Sequence, residues 1–126
     1  MSGAVVGSAP LVQRGFVESA EGQVHYLTAG KPRAGHQPLV LLHASPRSAK
    51  RLEPLMRITG TRRHVIAPDT LGNGDSCTPA NDRLPLLYFA DAHLRVLGAL
   101  GIERFDVCGV HASASIACEM AAWFKK

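Results

Sequence analysis

The stretch Gly109-Val-His111-Ala-Ser113 sets one reactive side chain between two small residues, each two positions away. It follows an apolar run and opens a helix, which fits a sharp strand-to-helix turn where the two backbones nearly collide and only small neighbours are tolerated. A side chain at the tip of such a turn is offered for attack on a substrate, and here it is an imidazole. His43-Ala-Ser-Pro46 follows another apolar run. An acyl-transfer or epoxide-opening site needs backbone N–H donors fixed where negative charge develops, and a strand end turning into a helix supplies them, with Pro46 locking the turn. His43 itself, at the inner end of a strand, reads as a loop anchor rather than a base. In Asp69-Thr-Leu-Gly72-Asn-Gly74-Asp-Ser76, two glycines two apart permit left-handed backbone angles, while Asp and Ser tie the loop to its own amides. That loop lacks the Lys and Ser/Thr of a phosphate-binding loop and the carboxylates of a calcium loop.

These stretches need elements to hold them. Residues 1–13 read as a loose tail, ahead of a single domain over 14–126. Arg14–Ser19 and Gly22–Thr28 alternate apolar and polar positions around a tight connection, which predicts a β-hairpin. Pro38–His43, His64–Pro68 and Phe105–Val110 are apolar runs of the kind found in strands buried on both faces. Between and after them, helices are predicted over Ser48–Thr59 (with Leu52, Leu55, Met56 and Thr59 inward), Leu84–Leu100 and Ala114–Lys126. A hairpin followed by strand and helix in alternation means an α/β fold: a parallel sheet with helices on both faces.

Taken in order, the three motifs resemble the α/β-hydrolase superfamily, in its epoxide-hydrolase-like and haloalkane-dehalogenase-like branch. That branch shows His-Gly-x-Pro, Asp-x-x-Gly-x-Gly-x-Ser and Gly-x-(Ser/Asp)-x-Gly at about these spacings. The resemblance covers about residues 14–124 and implies the N-terminal part of that fold, cut off after the helix that follows the nucleophile elbow. It implies that His111 stands at the nucleophile position, that the backbone N–H groups of Ser45 and Ala112 form the oxyanion hole, and that Gly109 and Ser113 are the small elbow residues. Ala44 and Ser113 replace glycines of the family pattern. The family reaction is hydrolysis of a small ester, epoxide or halide.

Histidine at the elbow departs from that chemistry. Family members attack with Ser, Cys or Asp and form ester-type intermediates, whereas an acyl-imidazole is labile. Three readings stand: His111 is a base acting on water, it fills a pocket in a non-catalytic binding or scaffold module, or the chain is a truncated reading frame. The family keeps its acid after a later strand and its general base near the C-terminus, and these 126 residues hold neither. Inactivity in this form is therefore expected. Ser113 and Ser115 are poor substitutes and read as helix-start residues satisfying free amides.

Composition adds bounds. With 126 residues, 46% hydrophobic and 19% charged, the chain fits one soluble domain able to bury about 65% of its unfolded surface. The formal charge is +4, and Arg47, Lys50, Arg51, Arg57, Arg62 and Arg63 cluster, but without interleaved aromatics they read as a solvated face rather than a nucleic-acid surface. Cys77, Cys108 and Cys118 fit no zinc spacing, and two lie in apolar runs, so buried free thiols and a cytoplasmic location are expected. Neither a signal peptide nor a membrane span is indicated. No metal or cofactor is expected. The expected partner is a small-molecule substrate or ligand, together with self-association through an open sheet edge.

Overall fold

The period-2 pattern near the start folds as predicted. β1 (Gln13–Ser19) and β2 (Gly22–Ala29) pair antiparallel with Ser19 opposite Gly22, in a computed structural model that describes residues 10–79 and 85–124. The expected tail lies largely outside the described residues, although Val12 already packs against the core. β3 (Leu39–Leu42) and β4 (Val65–Pro68) are the two apolar runs, parallel to one another. β5 (Asp106–Gly109) adds parallel to β3 on its other side, and β2 runs antiparallel to β4. The strand order is therefore β1-β2-β4-β3-β5, the mixed sheet of a partial α/β-hydrolase fold.

Successive residues of a strand face opposite sides of the sheet, so β3 and β4 supply two separate cores. Val40, Leu42 and Ile66 pack with Ala90, Leu97, Ile116 and Met120 from α2 (Leu86–Ala99) and α3 (Ala112–Phe124). Leu41, Val65 and Ala67 pack on the other side with Ala49 and with Met56 of α1 (Glu53–Thr59). Helices thus cover both faces, as expected.

Four expectations need correction. The helix over Ser48–Thr59 is two pieces, a 3₁₀ turn at Ala49–Leu52 and then α1, with Pro54 in the first helical turn, where its missing N–H costs nothing. Three residues per turn instead of 3.6 shifts the phase of the apolar stripe. Ala49 and Met56 face inward, while Leu55 is 44% exposed. Phe105–Val110 is not buried on both faces. β5 ends the sheet, and Asp106 and Cys108 lie exposed beside Leu39 and Leu41 on the α1 side, beyond the reach of α1. The expected burial of the thiols fails as well: Cys108 on β5 and Cys118 on α3 are exposed and Cys77 is half-buried, all three unpaired. α3 begins two residues earlier than the periodicity suggests, at Ala112. Residue 84, the expected start of the long helix, lies outside the described residues.

Candidate active site

At the junction of β5 and α3 the backbone turns sharply. His111 has φ 56°, the one non-glycine residue in the left-handed region among the described residues. An L-residue there places Cβ too close to the following carbonyl, so the conformation costs about 1–2 kcal/mol and the surrounding structure must hold it. Two neighbours do so. A Cβ on Gly109 would run into the Ser113 carbonyl, so only glycine lets strand and helix pass this closely. The buried Ser113 hydroxyl accepts the Val110 N–H at 2.7 Å and is within reach of the carbonyls of Val110 (2.8 Å) and Leu42 (3.0 Å). The serine that replaces the second small residue therefore ties the turn to the end of β3.

The two loops that face this turn are equally constrained. The Arg47 N–H donates to the Ala44 carbonyl at 2.8 Å, closing a turn around the cis Ser45–Pro46 bond. His43 is the anchor the sequence suggested. Its Nδ1 lies 2.9 Å from the Ala44 carbonyl, and its Nε2 accepts the Thr70 N–H at 3.0 Å, so neither nitrogen is free for proton transfer. Gly72 (φ 85°) and Gly74 (φ 53°) adopt the left-handed angles expected of the following loop.

Two adjacent cavities flank the elbow, with His43 lining both. Ser45, Ala112 and Ser113 line one of about 240 Å³, together with Thr70, Phe89 and Ile116. His111 opens instead on a second, of about 320 Å³, with Arg47, Arg51, Leu52 and Val110. Ser45 and Ala112 thus line one pocket and His111 lines its neighbour.

Sequence reasoning missed a buried polar centre below the Asp69 loop. Asp69 Oδ1 accepts the Ala49 N–H at 2.7 Å, and Oδ2 accepts the Asp75 N–H at 2.9 Å and lies 2.8 Å from His25 Nδ1. His25 Nε2 accepts from Arg14 Nε at 3.1 Å, which puts the ring proton on Nδ1, toward Asp69. The signal was a histidine in a strand where Val24 and Leu27 are also buried. His25, Asp69 and Asp75 hold ligand atoms within 4.8 Å of one another, as a cation would require. Those atoms are committed, His25 to Asp69 and Asp75 to Arg14 (2.8 Å), so the donor set describes an internal network rather than a vacant metal centre. His93, on α2, is the other buried polar side chain of note. Burial, and secondarily the nearby His43, lower its pKa to about 4, and its Nδ1 has no hydrogen-bond partner. Burial also lowers the pKa of His64, whose Nε2 lies 2.8 Å from Thr28 Oγ1.

Strand order, ordered motifs and the elbow turn together give the chain the fold of the N-terminal part of an α/β-hydrolase. Comparison with known proteins agrees. The chain is 32% identical over 83 residues to an uncharacterized hydrolase of Saccharomyces cerevisiae, covering 66% of this chain and 28% of that protein. It superposes on the epoxide hydrolase CorEH with a TM-score of 0.83 at 27% identity, covering 91% of this chain and 39% of the other. The N-acyl homoserine lactonase AidH, in a mutant form bound to N-hexanoyl homoserine, gives a TM-score of 0.79 at 26% identity, over 91% and 42%. No protein-family model matches. The chain thus spans less than half the length of each of these proteins.

Proposed function

We propose that this chain is an α/β-hydrolase-fold protein that, in this form, does not carry out the family's hydrolysis of small esters, epoxides or halides. The observation that carries the reading is His111. It occupies the elbow at φ 56°, yet opens on a different cavity from Ser45 and Ala112. An imidazole there forms no stable ester. His43, which shares the cavity, has both nitrogens engaged. The similarity to an epoxide hydrolase and to an N-acyl homoserine lactonase supports the hydrolase-fold part of this reading.

A second reading, a non-catalytic ligand-binding module, is favoured by the two cavities that persist around the altered elbow. Three unpaired thiols support a reducing, cytoplasmic setting. No described helix is long and apolar enough to cross a membrane.

The test is a panel of chromogenic esters and a small epoxide, applied to the purified chain, to His111→Ala and to His111→Ser. No turnover above buffer is expected from any of the three. Turnover by the wild-type chain that disappears in His111→Ala would overturn the proposal.

A further inference from the structure

The basic residues between positions 47 and 63 do not act as one surface. Arg57 lies 3.6 Å from Glu53 and Arg63 lies 2.6 Å from Asp106, so each has a counter-charge. Lys50 borders a different cavity, shared with Glu53, Asp69 and Asp75. Arg47 and Arg51, like Lys50 and Arg62, make no ion pair with a carboxylate among the described residues, but of these four only Arg47 and Arg51 stand beside His111 in one cavity. Both line the cavity of about 320 Å³ onto which His111 opens, and no acidic residue shares that lining. Its remaining walls are His43, Ala44, Leu52 and Val110.

Two arginines lining one concavity, with no carboxylate among the described residues in that lining, leave a positive potential that a bound anion offsets. Guanidinium forks match the oxygens of carboxylate and phosphate. The backbone that carries Arg47 is already fixed, since its N–H donates to Ala44 and its carbonyl accepts from Asn73 Nδ2 at 3.1 Å. The volume suits a small molecule.

We infer that the cavity between Arg47, Arg51 and His111 binds the oxyanion end of a small molecule, a carboxylate or phosphate group. This deepens the ligand-binding reading above by naming the ligand class, and it does not depend on whether esters are hydrolysed. Turnover in the ester panel would sink the inactivity proposal and leave the anion site untouched.

Calorimetric titration of the whole chain with inorganic phosphate, and separately with succinate, at low ionic strength tests it. Saturable one-site binding of at least one anion is expected. Arg47→Ala and Arg51→Ala should each weaken it by roughly tenfold. Arg62→Ala, an exposed position off the cavity, should leave it unchanged. Absence of saturable binding by both anions overturns the inference. So does equal weakening in Arg62→Ala, which would describe a diffuse cationic surface of the kind a nucleic acid uses. Should an arginine variant lose its native circular dichroism, amide NMR of the wild-type chain decides. Phosphate or succinate should shift the Val110 and His111 signals, and unmoved signals overturn the site.

Discussion

The Ser113 hydroxyl lies 3.0 Å from the Leu42 carbonyl, joining the first turn of α3 to the end of β3 across 71 residues of sequence. Ser113 is 2% exposed, so removing its oxygen would strand the Val110 N–H it accepts. Ser113→Ala is expected to cost about 1–3 kcal/mol. Ser113→Gly, which restores the commoner elbow residue, should cost at least as much because it loses the same bonds. Urea denaturation checks both.

Asp69 gathers two backbone N–H groups and the His25 ring in the interior. Asp69→Ala would leave those donors unpaired, and a loss of about 3–5 kcal/mol is expected, enough to threaten folding of a small domain. His25→Ala should cost less, since the two amides keep their acceptor. A ranking in which His25→Ala is the more damaging in thermal denaturation would contradict this account.

The pH dependence follows from His93. In the unfolded chain it takes up a proton near its ordinary value, about 6.5, whereas burial holds it neutral in the folded chain down to about 4. Between those values the unfolded state binds more protons, so stability is complete above about 6.5 and declines as pH falls toward 4. His64, also lowered, acts in the same direction. His93→Leu should remove about 3 kcal/mol of this decline, measured as the difference in unfolding free energy between pH 7 and about pH 4. Parallel pH profiles for the two proteins would contradict it.

β5 pairs with β3 alone, and its other edge carries no strand among the described residues. Val110, 40% exposed, continues that edge. Such an edge is a template for pairing. The purified chain is expected to elute from size exclusion as a dimer or larger species; a clean monomer with a cooperative melt would contradict this.

How much of this was legible beforehand depends on the range of the interactions. The hairpin, β3 and β4 follow from local periodicity and from burial on both faces. β5 departs from its expected burial because Val107 and Cys108 have the composition of a buried strand, while exposure depends on which neighbours lie alongside, a property of the whole sheet. Leu55 turns outward because the 3₁₀ turn before Pro54 changes the period. The His25–Asp69 pair joins positions 44 apart, and no local pattern links them. The elbow was readable because its requirement is local: small residues two positions either side of one strained residue. The cavity that His111 faces was not, since it is assembled from Ala44–Leu52 and Val110 only once β3 and β5 lie side by side.

The elbow depends on His111 occupying a left-handed bend, and a substitution series there measures it most directly. Asn tolerates that conformation and Val, branched at Cβ, does not. Chemical denaturation should find His111→Asn within about 0.5 kcal/mol of the wild-type chain and His111→Val less stable by about 1–2 kcal/mol. Equal stability of the Asn and Val variants would mean that position 111 is ordinary strand or helix, and that the elbow does not exist.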